Sequence, residues 1–262
     1  MIYTNSAWYY GITITGENNI LSYSEDGGPE LLAFIQTGSY TLTNLAAEVA
    51  RAMNAVADDN EYSVSIDRAT RVYTIEATNM TPVNFDLKVT SGTSGASIFG
   101  TIGFVGADRT EATQYEGTGQ VGSSYVAQFR LQDFVNFQDN QKAQESSVLT
   151  SATGEVEVIK FGNVQIMECN LLFITDIQQD IGSYIRSNPT GVDDARDFLL
   201  YATTKGPMEF IPDVIDPDTF TKCILESTPE NQNGTAFKLK EEYSRGLPGY
   251  YQSGKLSFRR VD

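Results

Sequence analysis

Gly38-Ser39-Tyr40-Thr41-Leu42-Thr43-Asn44-Leu45-Ala46-Ala47-Glu48-Val49-Ala50-Arg51-Ala52-Met53-Asn54 leads, past Asp58-Asp59-Asn60, into Tyr62-Ser63-Val64-Ser65-Ile66-Asp67 and Tyr73-Thr74-Ile75. In the first stretch Leu45, Val49, Ala52 and Val56 recur every three or four residues, the spacing of one helix face, with Thr43 or Asn44 placed to cap it. In the second, Tyr62, Val64 and Ile66 alternate with polar residues, Asp67-Arg68-Ala69-Thr70 makes a turn, and Tyr73, Ile75 and Ala77 alternate again. The period changes from 3.6 to 2, which predicts a helix followed by an antiparallel hairpin. Val83, Phe85, Leu87 and Val89 predict a third strand, and Ile98-Phe99-Gly100-Thr101-Ile102-Gly103-Phe104 returns bulky apolar groups to the core. A helix and three strands can bury one shared face, so residues 39–105 read as a helix-plus-antiparallel-sheet subdomain.

On the N-terminal side, Ile12 with Ile14, Ile20 to Tyr23, and residues 31–35 read as short strands between turns. On the other side, residues 106–124 are rich in Gly, Thr and Glu and read as loop, with 106–120 as a linker. Residues 125–129, 156–158, 161–173, 208–211, 220–225, 236–239 and 251–258 read as strands. Phe134 and Phe137 read as an aromatic anchor and 138–147 as a polar loop. A second helix begins near Pro189, with Asp193 and Asp194 in its first turn and Val192, Ala195, Phe198, Leu199 and Ala202 on its apolar face. Lys205-Gly206-Pro207 ends it. The expected fold is α+β and mostly β. Residues 1–38 and 121–262 would build a β-sandwich or barrel-like assembly domain that carries 39–105 as an insertion.

Composition removes whole classes of chemistry. The 262 residues contain no histidine, which excludes histidine-based triads, histidine metal ligands and imidazole acid/base catalysis. With 18 Lys+Arg against 34 Asp+Glu the net charge is −16, unsuited to neutralising phosphates in sequence-specific nucleic-acid binding. A start of Met1-Ile2-Tyr3-Thr4-Asn5-Ser6-Ala7-Trp8 lacks the basic and apolar regions of a secretory signal, and no apolar run predicts membrane insertion. Cys169 and Cys223 sit in apolar, strand-like sequence and read as free buried thiols, with a bridge or a two-cysteine metal site as alternatives.

Candidate sites are few. Gly92-Thr93-Ser94-Gly95 and Gly100-Thr101-Ile102-Gly103 lack the GxxxxGK[ST] pattern of a phosphate loop and read as turn glycines. Asp58-Asp59-Asn60-Glu61 reads as an acidic turn rather than a cation site, lacking the spacing of a calcium loop. Asp213, Asp216 and Asp218, bracketed by Pro212 and Pro217, read as a stiff loop at a subunit contact, with calcium binding as the alternative. No catalytic, cofactor or metal residue is assigned. The interface candidates are Trp8, Tyr9, Tyr10, Arg245, Tyr250, Tyr251, Arg259 and Arg260. Trp8 to Tyr10 could stack on sugars, anchor the first strand or pack on a neighbour; the arginines would face the acidic surface of a next subunit.

Two segments resemble tailed-phage virion proteins. One is the Gly38-Ser39-Tyr40-Thr41 entry, the Ala-rich helix, the two strands and the Phe99-Gly100-Thr101-Ile102-Gly103-Phe104 step, similar to a module of phage tail and baseplate proteins that virion proteins at different positions share. The other is the helix from Asp193 with Ala202-Thr203-Thr204-Lys205-Gly206-Pro207-Met208-Glu209-Phe210-Ile211-Pro212-Asp213 and Gly246-Leu247-Pro248-Gly249-Tyr250-Tyr251, similar to small tail-completion, baseplate and distal-tail-like proteins. Residues 1–37 and 106–160 lie outside both. The resemblance implies a non-enzymatic, cofactor-free structural subunit of a phage tail, made in the host cytoplasm. It would form a homo-oligomeric ring, a hexamer first and a trimer second, joining the tail tube to the tip or fibres, with DNA passing through its lumen. The alternatives are a receptor- or carbohydrate-binding tail-tip module and another tail subunit (tube, terminator or connector). A histidine-free glycan hydrolase or esterase is the remotest reading.

Overall fold

Leu45, Val49 and Ala52 do form one face of a helix, α1 (Leu42–Asn54), which buries Leu42, Ala46 and Met53 with them. The computed structural model describes residues 3–130, 138–142, 146–150, 156–160, 164–171, 174, 180–181, 184–185, 192–227, 240–241 and 251–261. Before α1 come β1 (Tyr3–Tyr10), β2 (Ile12–Ile14), β3 (Ile20–Glu25), β4 (Leu31–Phe34) and β5 (Gly38–Tyr40). After it come β6 (Tyr62–Asp67), β7 (Val72–Ala77), β8 (Phe85–Leu87), β9 (Arg109–Ala112), β10 (Gln114–Glu116) and β11 (Ser123–Arg130). Then follow β12 (Gln138–Lys142), β13 (Ser146–Thr150), β14 (Val156–Lys160), β15 (Val164–Asn170), β16 (Asp180–Ile181), β17 (Tyr184–Ile185) and α2 (Val192–Thr203). The chain ends in β18 (Met208–Ile211), β19 (Thr221–Ser227), β20 (Lys240–Glu241), β21 (Tyr251–Gln252) and β22 (Lys255–Arg260). Chain contacts divide the molecule into an α1 unit, Trp8–Ser124 with Gly206–Phe220, and an α2 unit, Met1–Ala7, Tyr125–Lys205 and Thr221–Asp262.

The α1 unit holds two larger antiparallel sheets, ordered β4-β3-β8-β9 and β10-β7-β6, and the antiparallel pair β2-β5. β9 and β10 are two halves of one segment that bends at Thr113, and within β9 Glu111 has a φ of 61°, a left-handed value rare for a side chain with a Cβ. The Thr113 carbonyl at the bend accepts from the Ala77 amide, so the segment passes from one sheet to the other. α1 packs against the open ends, β4 and β6, and against β5. Inside, rings from the two sheets interleave edge to face. Tyr23 meets Tyr62 at 5.4 Å, Tyr62 meets Phe85 at 5.1 Å and Phe85 meets Tyr115 at 4.9 Å. Such pairs add about 0.5–1.5 kcal/mol each beyond the area they bury. Their hydroxyls are supplied with partners: Tyr23 donates to the Met53 carbonyl at 3.0 Å and Tyr115 to that of Phe85 at 2.7 Å. Gly103, at φ 80°, faces the Gly119 carbonyl oxygen so closely that a Cβ would lie 2.2 Å from it. That contact needs glycine.

In the α2 unit the antiparallel order is β19-β22-β15-β12. α2 buries Ala195, Phe198, Leu199 and Ala202, and the Phe198 ring stacks on Tyr125 at 5.0 Å and lies 6.5 Å from Phe258. Cys169 and Cys223 are buried and not joined in a disulfide, and burial pushes the Cys169 thiol up to about 12. β13 with β14, β16 with β17, and β20 with β21 form hairpins or two-stranded pairs.

The protein is α+β and mostly β. Among the described residues no sheet closes into a barrel, which corrects the barrel-like expectation: in the α1 unit a helix occupies the gap a closing strand would fill. Local readings shift too. Thr41, not Thr43 or Asn44, caps α1 by accepting from the Asn44 amide at 3.2 Å, and the helix ends before Val56. The strand around Phe85 pairs with β3 rather than with the hairpin. The stretches 106–124 and 138–147, read as loop from composition, contain β9, β10 and β12. Phe134, Phe137 and 236–239 lie outside the described residues. No described helix is long and apolar enough to cross a membrane.

Candidate functional site

β18 reads Met208-Glu209-Phe210-Ile211, and all four residues are buried. A carboxylate in such a strand costs several kcal/mol unless it is paired and hydrogen-bonded. Glu209 has three partners, all from the α1 unit. Its Oε1 accepts from the Thr43 amide at 2.8 Å and the Thr43 hydroxyl at 2.6 Å, and its Oε2 accepts from Arg68 Nε at 3.3 Å. Arg68, at the β6–β7 turn, also donates to the Thr43 hydroxyl at 2.7 Å, pairs with Asp218 at 3.5 Å and lies 3.8 Å over the Phe220 ring. α1 has no acidic residue in its own first turn. Glu209 supplies that charge, satisfying an amide the helix cannot and favouring the positive end of its dipole. Next to this node the Tyr73 hydroxyl donates to the Leu42 carbonyl at 2.6 Å; burial, then the Glu209 charge, raises its pKa.

A second buried carboxylate closes the other end of α1. Glu25 Oε2 accepts from the amides of Asp58 and Asp59 at 3.0 and 2.8 Å, and Oε1 from the Asn60 amide at 3.3 Å and the Tyr62 hydroxyl at 2.8 Å. The Asp58-Asp59-Asn60 turn therefore wraps its backbone donors around an anion, the opposite of a cation site. Asn60 completes the arrangement, exchanging hydrogen bonds with the Val83 backbone at 3.0 and 3.1 Å.

Outside these nodes Asp108 and Asp213 also bind backbone. Asp108 accepts from the amides and hydroxyls of Thr90 and Ser91; burial pushes its pKa up, but these bonds outweigh it and bring it down to about 2. Asp213 accepts from the Ile215 amide at 3.0 Å and Asp216 from the Thr219 hydroxyl at 2.7 Å, as in a self-braced loop. Among the described residues no group of three or more His, Cys, Asp or Glu could hold a metal ion.

The interface candidates are scattered. Trp8, Tyr9 and Tyr10 are buried, with Trp8 4.8 Å from Phe210 and Arg71 5.5 Å over Tyr9. Tyr251 is half-buried and exchanges backbone hydrogen bonds with Ile174 at 2.8 and 3.0 Å. Arg259 pairs with Glu226 at 3.0 Å and Arg260 with Gln165 at 2.8 Å, on opposite faces of β22. Arg245 and Tyr250 lie outside the described residues. The residues sequence reasoning missed are Glu25, Arg68 and Glu209. Only Glu209 carried a signal, as a charge inside an apolar strand.

No family model and no curated protein matches the chain. Among solved structures, the crystal structure of a selenomethionine-labelled mavirus penton protein aligns over 99% of this chain and 84% of that one, at 7% identity and a TM-score of 0.30. That neighbour is a penton protein, not a tail or baseplate subunit. The expected kinship with tailed-phage tail, baseplate and distal-tail-like proteins is corrected on that finding. With it go the tail-ring function, the tail-tip and other tail-subunit alternatives, the hexamer or trimer, the tube and tip partners and the phage-tail location. At this score the likeness assigns no function to the chain.

Proposed function

We propose that the chain is a non-enzymatic structural protein of a virus particle, acting through contacts with other proteins. The observation that carries the non-enzymatic part is the use of its buried carboxylates. Glu25 and Glu209 face backbone amides, hydroxyls and an arginine of the same unit, leaving neither aimed at a substrate. Catalytic acids and bases need the reverse, a carboxyl held short of partners near a reacting atom. The alignment of 99% of the chain with a penton protein supports the particle setting.

The test is mass spectrometry of nuclease-treated, density-banded particles of the virus that encodes the chain. Copies in the particle in fixed ratio to its other proteins support the reading. Full recovery of the chain in the soluble fraction, with none in the band, would sink it.

A further inference from the structure

α2 ends at Thr203, and the residue that turns the chain out of it is Lys205, at φ 62°. That is a left-handed value which glycine takes freely and which strains a residue with a Cβ. A glycine stands next in the chain, yet it is the lysine and not Gly206 that takes the positive φ. The helix end does not account for the lysine, because its last carbonyls are served locally. The Thr203 and Thr204 hydroxyls donate to the Leu200 and Tyr201 carbonyls at 2.7 Å each, and the Lys205 amide donates to Ala202 at 3.0 Å. The ammonium reaches away instead, to β19, a strand that α2 packs against. There Nζ donates to the Leu225 carbonyl at 2.6 Å and to the Glu226 carbonyl at 2.8 Å.

These two carbonyls belong to a bulge. β19 pairs with β22 residue for residue from Cys223 opposite Arg260 to Leu225 opposite Phe258; Ser227 then faces Ser257, so Glu226 is an extra residue. Successive carbonyls of an unbroken strand point to opposite sides, out of reach of one donor. The extra residue breaks that alternation and disrupts the ladder locally. We propose that Lys205 is the strap that holds this bulge: its ammonium supplies both carbonyls with a donor, and the left-handed turn is kept because it aims the side chain at β19. A compact cation with three donors on a flexible stem suits two carbonyls that no strand geometry presents together. The strap ties the end of α2 to the sheet at the point where the β19–β22 ladder changes register.

Urea unfolding of the full chain tests this by its sign, comparing wild type with Lys205→Gly. An idle lysine at a left-handed position gives way to glycine without loss, and the midpoint would hold or rise. The strap predicts that the midpoint falls. Lys205→Arg, which keeps a cationic donor, recovers part of the fall; Lys205→Met, of similar length with no donor, recovers none. Amide hydrogen exchange locates the loss. Residues 225–227 and 257–258 exchange about tenfold faster in Lys205→Met. The Val261 amide, bonded to the Lys222 carbonyl at 2.9 Å at the far end of the ladder, keeps its rate. A Lys205→Gly midpoint at or above wild type would overturn the proposal, as would an acceleration spread evenly over β19 and β22. Lys205→Met read against Lys205→Arg carries the comparison should Lys205→Gly fail to fold, and equal midpoints for those two would overturn it as well.

Discussion

α1 and α2 are of similar length, 13 and 12 residues, and each must satisfy exposed amides at a positive N-terminal end. α2 carries its own acids there. Asp193 and Asp194 occupy its first turn, and the Asp193 side chain is 90% exposed and pairs with Arg196 at 2.9 Å. α1 has none and takes its anion from Glu209, which is fully buried and 166 residues away from Thr43 in sequence. The local solution is screened by water and adds little; the distant one is shielded and specifies which segment of chain lies against the helix. A buried carboxylate at a helix end is therefore a statement about topology as much as about charge.

The sharpest way to break this contrast is to remove the two anions in turn. Glu209→Ala leaves the buried Arg68 with only the exposed Asp218 as a carboxylate partner and should cost about 3–5 kcal/mol in urea unfolding. Asp193→Ala should cost less than about 1 kcal/mol. Equal effects would mean that burial gives Glu209 no special role. Glu25→Ala tests the far end of α1. It strips an acceptor from three amides and the Tyr62 hydroxyl, and a loss of about 2–3 kcal/mol is expected, read from the same denaturant midpoint.

Thr41→Ala removes the local cap of α1 and should cost about 1 kcal/mol, setting the helix's own contribution beside that of Glu209. The smallest effect is confined to acid. The Asp108 carboxyl, at about 2, lies below its ordinary value, so its contribution is present above roughly pH 4 and is lost as the pH falls toward 2. Asp108→Asn should flatten that part of the stability–pH curve and leave its neutral region sloping as in wild type. A curve of unchanged shape would mean the Thr90 and Ser91 bonds do not hold the carboxylate.

What the residues made legible follows the same division. The α1 stripe from Leu45 to Ala52, the β6–β7 alternation and the acidic first turn of α2 depend on neighbours within a turn or a hairpin, and they form as the spacing predicts, although α1 stops short of Val56 and α2 starts at Val192 rather than near Pro189. Polar strands escaped notice because nothing local marks them. β12 is Gln138-Asp139-Asn140-Gln141-Lys142 and exists through its pairing with β15, while β9 and β10 are separated by a bend at Thr113. The turn at Asp58 gave its acidity in the sequence but not its role, because its backbone amides, rather than its side chains, make the site. Arg68 looked like an ordinary turn residue until Glu209, Thr43 and Phe220 were placed around it.

The central claim is that the buried carboxylates hold backbone rather than await a ligand, and the Thr43 amide reports on it most directly. It sits in the first turn of α1, where amides ordinarily exchange quickly, yet it donates to Glu209 at 2.8 Å. Native-state exchange followed by NMR should show it protected to within about tenfold of the Val49 amide in the middle of the helix. A Thr43 amide that exchanges as fast as exposed backbone would contradict the claim, because Glu209 would then be free for another partner.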